Sequence, residues 1–484
     1  MRSRRDVFRV RKCRRTYDRA ASKFSFNIEY ETHTVLTSRS LVVAEAFGLG
    51  VDDVKKFPVL DAELKIAPGD IVLVTGDSGS GKSVLLRAIK EDLGTEAVDM
   101  GDLQVVRDKP LIEIIGATVE EGLELLSKVG LNDAFLFLRT YDQLSDGQRW
   151  RYRLAKFLES GKPWWLLDEF AATLDRDTAK IIAFNVQKLA RQQGKTVIAA
   201  TTHNDLFVDL GPSVHVHKRF GKEIAIDYFP NSPVGECSLI REMRVEGGNL
   251  KDWRVLSCFH YRSHSPGATR EVYRIMRGAE LCGVIIYAYP PPGCQGRRLV
   301  LPKMSLMEMN EKLSIISRIV IHPKYRTIGL GAKIIRETLP RVSTPFVEMV
   351  AVMAKYNPFA ERAGLRRVHL QAPCKEVRAI AEVLSGFGFD LKLLGSDRYI
   401  RGKLEALAPE QMADLKECFV KNDHPKFRKQ FAAMRHVPYG STKLYQEGVR
   451  GADLVKMVTL VRILGVLLQS KVYLFWSRDE THKH

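Results

Sequence analysis

The pattern of apolar and polar positions changes character along the chain. From residue 24 to 75 apolar and polar residues alternate (Phe24, Phe26, Ile28; Thr34, Leu36; Leu41, Val43), the two-residue period of strands. Uninterrupted apolar runs follow: Ile71 to Val74, Trp164 to Leu167, and Val197 to Ala200. Between them lie stretches with helical spacing, such as Val84 to Ile89 and the Arg- and Leu-rich Arg149 to Leu158. Apolar strands separated by helices predict a parallel sheet covered on both faces, an α/β domain.

From 251 the pattern becomes a meander. Glu271 to Arg277 and Leu281 to Ala288, joined by Gly278-Ala279-Glu280, read as a hairpin. A third run, Ile315 to Ile321, leads into a glycine-containing turn, a helix (Ala332 to Thr338) and the strand Val347 to Val352. Residues 402–484 return to helical spacing (Met412, Leu415, Phe419; Leu454, Met457, Val461, Leu464). The predicted organisation is an α/β domain over 1–225, a connector over 226–250 with Pro230, Pro233 and Gly247-Gly248, a second α/β domain over 251–401, and a small helical extension over 402–484.

Charge adds a partner. Among 484 residues, the formal net charge is +18 and the pI about 9.5. Such an excess favours an anionic partner, with nucleic acid first. Arg9, Arg11, Lys12, Arg14, Arg15 and Arg19 concentrate it near the N-terminus, in what reads partly as an edge strand. The seven cysteines form no CxxC pair, which argues against a zinc site or a disulfide framework. The apolar stretch Val458 to Leu468 is interrupted by Arg462 and reads as a buried helix, so the expectation is a cytoplasmic protein; that it has no transmembrane partner is expected from the short interval between Lys82 and Ser145 described below.

The chemistry begins at Gly76-Asp77-Ser78-Gly79-Ser80-Gly81-Lys82-Ser83, which fits GxxxxGK[ST] between a predicted strand and helix. Its amides converge on phosphate oxygens, Lys82 reaches the β- and γ-phosphates, and the Ser83 hydroxyl binds Mg²⁺. Downstream come Leu144-Ser145-Asp146-Gly147-Gln148 opening a helix, a strand ending in Asp168-Glu169, then Thr173-Leu174-Asp175, and a strand ending in His203. Parallel strands delivering polar residues at their C-terminal ends place a site there.

With these pieces in this order, residues 60–220 resemble an ATP-binding-cassette (ABC) ATPase. The resemblance implies ATP and Mg²⁺ as cofactors, Asp168 on the metal, Glu169 polarising the attacking water, and His203 sensing the γ-phosphate. It also implies that Ser145 and Gly147 close over the nucleotide of a second subunit, hence a homodimer, with Asp175 at that boundary. Gln104 is the candidate Q-loop glutamine, and Phe47 is a core residue or an adenine platform. The signature reads SDGQ where SGGQ is commonest, and the interval from Lys82 to Ser145 is shorter than in transporter ATPases.

In the second half, Arg326-x-x-Gly329-x-Gly331, with Ile328 and Leu330 between, is similar to the acyl-CoA pyrophosphate loop of GNAT acetyltransferases. Val320-x-His322-Pro323 before it and Asn357-Pro358-Phe359 to Gly364-Leu365 after it fit that family. Acetyl-CoA is the implied cofactor. The family's usual acid tyrosine falls at Ala360, leaving Tyr356, Glu348 and the His260-Tyr261 cluster as catalytic candidates. The whole order resembles fusions of an ABC-type ATPase with a predicted acetyltransferase, found in archaea and in viruses of prokaryotes. His260-Tyr261 and Arg318 have a slight likeness to Mom-type enzymes that modify adenine in phage DNA. The expected function is an ATPase coupled to N-acylation of nucleic acid or of an amine bound to it. The alternatives are a nucleic-acid clamp with an inactive GNAT-like domain and, further off, a transporter ATPase.

Overall fold

A computed structural model describes residues 8–32, 35–49, 55–131, 134–260, 266–294, 296–352, 354, 357–434 and 441–478. Two compact units divide the chain: Met1–Tyr287 with Ser317–Arg341, and Ala288–Ile316 with Val342–His484.

The first unit opens with β1 (Phe8–Asp18) and β2 (Lys23–Thr32), followed by α1 (Ser38–Ala46) and β3 (Lys56–Lys65). The strands form an antiparallel sheet in the order β1-β2-β3. The alternation read from the sequence holds in β2, where Phe24, Phe26 and Ile28 are buried. It fails at 38–46, which is a helix with no buried residue. There the capping box of Thr37 and Ser40 satisfies the first-turn amides, and local capping outweighs a strand-like pattern.

Next come β4 (Ile71–Thr75), α2 (Lys82–Leu93), β5 (Ala97–Asp99), α3 (Val119–Lys128), α4 (Ala134–Phe137), α5 (Asp146–Ser160), β6 (Trp164–Leu167), α6 (Arg176–Gln192), β7 (Thr196–Ala200), α7 (Phe207–Leu210), β8 (Val214–Lys218) and β9 (Ile224–Tyr228). Six of these are strands of one sheet in the order β5-β6-β7-β4-β8-β9, parallel except for β9. Successive residues point to opposite faces. Ile71, Leu73, Trp165, Leu167, Val197 and Ala199 join a core shared with α5 and α6. Val72, Val74, Trp164, Leu166, Ile198 and Ala200 join another, with Leu85 and Ile89 of α2 and Phe24 of β2. Two covered faces explain why these strands are apolar throughout.

The unit continues with β10 (Met243–Gly247), α8 (Leu250–Leu256), β11 (Thr269–Arg277) and β12 (Glu280–Ala288). After α9 (Leu306–Lys312) in the second unit comes β13 (Leu313–Ile321), which both units share, and then α10 (Leu330–Thr338) in the first. In the first unit the order is β10-β11-β12-β13.

In the second unit β13 runs parallel to β14 (Phe346–Ala351), pairing from Leu313↔Phe346 to Ile316↔Met349. Then follow α11 (Phe359–Arg362), β15 (Arg366–Gln371), α12 (Lys375–Gly386), α13 (Asp397–Glu405), α14 (Pro409–Lys421), α15 (Pro425–Met434), α16 (Thr442–Arg450), α17 (Leu454–Leu467) and β16 (Lys471–Ser477). Residues of α12 to α17 share one apolar core. The expected all-helical extension is corrected at its end. β16 is a strand lying between β14 and β15 and antiparallel to both. Its neighbours pair both of its edges, and Val472 to Trp476 are all buried, so both of its faces are covered as well, a place its β-branched and aromatic residues suit.

Candidate functional site

The C-terminal ends of β4, β6 and β7 lie side by side, since these strands are neighbours in the sheet. Each delivers a predicted site residue there. At β4 the chain turns through Gly76, whose φ is +145° and where a Cβ would lie 2.0 Å from the Lys218 carbonyl oxygen. Only glycine fits so close an approach. Gly81 caps α2 at φ +103° and has no side-chain cap bond, so the first-turn amides face outward. Ser80 is buried with a hydroxyl that has no hydrogen-bond partner among the described residues. Lys82 bends over the turn and donates to the carbonyls of Gly76 at 2.7 Å and Asp77 at 2.8 Å. Burial pushes its pKa down, against the pull of Asp168 and Asp77, which places the Asp168 carboxylate within electrostatic reach of Lys82.

Asp168 is half-buried at the end of β6, and its Oδ1 accepts the Glu169 amide at 3.0 Å. Glu169 is exposed and has φ +49°, with Ala171 at +56°. Two non-glycine residues in the left-handed region are costly and persist only where the surroundings enforce them. The Phe170 amide donating to the Ala200 carbonyl at 2.7 Å provides part of that hold. His203, half-buried after β7, donates its amide to Thr201 Oγ1 at 3.2 Å. Uncapped amides, a lysine and a carboxylate at the C-terminal end of one sheet fit a nucleoside triphosphate with Mg²⁺, which Ser83 and Asp168 would hold.

Ser145 caps α5 in a reciprocal box with Gln148, leaving the signature turn exposed. Asp146, the departure from the commonest signature, lies 3.3 Å from Arg149, which offsets its charge. Asp175 caps α6 through the Thr178 amide. Burial raises the Asp175 pKa, but its bonds to Thr178 and the Lys324 charge hold it below the usual carboxylate range. Gln104 lies exposed in the loop after the edge strand β5, and Asp77, Ser78 and Gly79 are exposed on the phosphate loop. Phe47 is corrected: at 77% exposure it is no core residue, because α1 packs no side chain inward.

The second glycine turn joins β13 to α10. Gly329 caps the helix at φ +99° without a side-chain cap, Gly331 lies in its first turn, and Ile328 and Leu330 are buried. Those uncapped amides suit a pyrophosphate. Arg326 donates from Nε to the Ile321 carbonyl at 3.2 Å. Behind this turn lies a buried arginine that was not among the candidate residues. Arg151 of α5 is only 4% exposed and has carbonyls in place of an acid: Val129 at 3.2 Å, Lys324 at 3.0 Å and Arg326 at 3.4 Å, with Thr327 Oγ1 at 3.3 Å. Burial, then the Arg326 charge, pushes its pKa down to about 10. From α6, Asn185 reaches Thr327 Oγ1 at 2.5 Å and Lys188 the Thr327 carbonyl at 3.2 Å. A legible signal existed: Arg151 shares a helical stripe with Leu154, Ala155 and Leu158.

Of the transferase candidates, Tyr261 and Tyr356 lie outside the described residues. His260 is half-buried and meets Trp253 edge-on at 5.5 Å. Glu348 is fully buried, bonded to Arg297 at 2.6 and 3.0 Å and to Tyr473 at 2.9 Å. Both Glu348 oxygens are thus already engaged by Arg297 and Tyr473, which leaves this side chain enclosed among its own partners.

No protein-family model matches the chain. It is similar to the cytochrome c biogenesis ATP-binding export protein CcmA of Gluconobacter oxydans, 33% identical over 180 residues that span 33% of this chain and 83% of that protein. The thiamine import ATP-binding protein ThiQ of Vibrio parahaemolyticus is 32% identical over 176 residues, 29% of this chain and 73% of that protein. Among solved structures, the dimeric post-hydrolysis state of the ATP-binding cassette MJ0796 with ADP and Pi is 20% identical, covers 36% of this chain and 92% of that one, and has a TM-score of 0.30. With a curated relative one-third identical and matched over 83% of its own length, the site just described has its family: the chain belongs to the ABC ATPases.

Proposed function

We propose that this ABC ATPase works as a homodimer closing over two ATP molecules, and that its cycle gates an acyl-CoA-dependent N-acyltransferase acting on nucleic acid or an amine bound to it. Bound Mg²⁺ supplies charge neutralisation at the β- and γ-phosphates. The chain's residues do the rest: Lys82 and the loop amides orient the phosphates, and the Glu169 carboxylate takes the proton of the attacking water. On this reading His203, which follows β7, registers the γ-phosphate. In the same reading Ser145 and Gly147, at the start of the signature helix, close on the nucleotide of a second subunit, and one loop and one signature per chain call for two copies to make a complete pair of sites.

The observation that carries the acyl-CoA part is the uncapped helix start at Gly329, a second phosphate-type cradle on a chain that already has one. The mixed sheet of the second unit, with β13 and β14 parallel and β16 inserted before β15, supports it. The net charge of +18 supports an anionic acceptor. Calorimetry of acetyl-CoA against the full chain tests the reading, followed by labelled acetyl-CoA with DNA, tRNA or protein, with and without ATP. A folded protein that binds no acetyl-CoA ends the acyltransferase proposal.

A second reading is favoured by Ala360 and Glu348: the first is a buried alanine where an acid is expected, the second a buried carboxyl already bonded to Arg297. On this reading the GNAT-like part recognises and does not react, and the protein is an ATP-dependent clamp on nucleic acid. ATP hydrolysis stimulated by DNA or RNA and unchanged by Arg326→Ala would select it. A third follows from relatives named as export and import proteins. No helix among the described residues is long and apolar enough to cross a membrane, so transport would need a separate permease, and co-purification with one would select it.

A further inference from the structure

The start of α6 is held from two directions. On one side Arg176 pairs with Asp205, two residues beyond His203, with Nε at 3.0 Å from Oδ2. On the other, Asp177 receives Arg277 at 2.7 Å and Lys324 at 2.8 Å, and Lys324 also lies 3.7 Å from Asp175. Arg277 ends β11 and Lys324 lies in the turn after β13, both well outside residues 60–220. Arg277 is itself braced by Glu242 at 2.7 Å and by Tyr325, whose hydroxyl donates to Glu280 at 2.6 Å.

What these cations hold is close to the chemistry. Glu169 precedes the α6 cap, Asp175, by a short turn in which Phe170 and Ala171 are completely buried and Ala171 is left-handed. Such a turn has little slack, so a shift of the α6 cap is passed to the Glu169 carboxylate. The same short segment, His322 to Thr327, is gripped at its back by Arg151 of the signature helix. Thr327 has φ +77°, a conformation a β-branched residue adopts only when held. Here the bonds from Arg151, Asn185 and Lys188 hold it.

We infer that Lys324 and Arg277 are positioning residues for ATP hydrolysis: elements outside the cassette fix the α6 cap, and through it Glu169. The inference rests on the ATPase alone and stands whatever binds at Gly329. Misplacing a catalytic group by about 1 Å is enough to slow a reaction strongly. Coupling through one such contact typically changes a rate by about 2- to 30-fold.

The test is steady-state ATP hydrolysis by the full chain for Lys324→Met, Arg277→Met and the pair, beside Lys324→Arg and Arg277→Lys, with thermal midpoints for each. The expected result is a kcat lowered about 2- to 30-fold, a KM within about twofold of the parent, and recovery in Lys324→Arg. If the paired variant does not fold, Lys324→Met against Lys324→Arg carries the same comparison. An unchanged kcat in a folded variant overturns the inference. So does a loss expressed in KM, or one that tracks the thermal midpoint and is not recovered by Lys324→Arg.

Discussion

Two strand–turn–helix units in the first compact unit meet the same physical problem and solve it differently. Both Gly76–Ser83 and Arg326–Gly331 leave a strand, use a glycine at positive φ to cap a helix, and leave that helix start without a side-chain cap. At the first turn the backbone is pressed against its own sheet, where Gly76 meets the Lys218 carbonyl, and the charge over it is the turn's own Lys82. At the second the glycine has open space around it, and the turn's carbonyls are held by charges from other elements, Arg151 and Lys188. The first is a self-contained phosphate cradle. The second is fixed from behind, so whatever binds it also feels the cassette.

The sharpest way to break this contrast is at the proposed base, Glu169, beyond the end of β6 in the sheet that carries the first turn. Glu169→Gln is expected to cut hydrolysis by about 10²- to 10⁴-fold while ATP still binds, since a general base is lost and the cradle is kept. Measured by phosphate release and calorimetry, the loss appears in kcat. On the proposed dimer, the same variant with ATP elutes at twice the monomer mass. Next come the glycines themselves. Gly76→Ala puts a Cβ 2.0 Å from a backbone oxygen and is expected to abolish ATP binding or soluble expression. Gly329→Ala meets no atom within 4 Å, so its cost is conformational only, about 1–2 kcal/mol, visible as a lower thermal midpoint with ATP binding intact. Equal effects from the two would dissolve the comparison.

Arg151→Met addresses the back of the second turn. Each buried carbonyl left unpaired costs about 1–3 kcal/mol, and the guanidinium serves several. The expected result is a clear fall in the unfolding midpoint, only partly recovered by Arg151→Lys, because an ammonium cannot reproduce the planar fork.

The contrast also marks what the sequence could say. The phosphate loop, Asp168-Glu169 and His203 were legible because each sits at the end of an apolar strand, where local pattern alone decides position. The α/β sheet followed from the same runs. What lay outside local pattern was missed. Residues 38–46 alternate like a strand, yet Thr37 and Ser40 cap a helix there. Val472 to Trp476 read on from a helical stretch, yet partners far earlier in the chain, β14 and β15, make it a strand. Asp177, Arg277 and Lys324 acquire their meaning only from contacts between distant segments, which neither spacing nor periodicity records.

The smallest effect expected is the most diagnostic of how the second turn is held. Burial pushes the Asp177 pKa up, but Arg277 and Lys324 outweigh it and hold the carboxyl below its ordinary value. A carboxyl lowered on folding adds stability above the unfolded value, near pH 4, and loses it as pH falls through the folded value. Asp177→Asn should therefore lower the unfolding midpoint at pH 7 by an amount equivalent to about 1 kcal/mol or less, a difference that shrinks below about pH 4. Salt separates this hold from the other. At 1 M the screening length is about 3 Å, so the partly exposed Asp177 contribution fades while the buried bonds of Arg151 persist. If the Asp177→Asn difference survives both acid and salt, the front of the turn is held by shape and not by charge. In that case Lys324→Arg would not be expected to recover hydrolysis either.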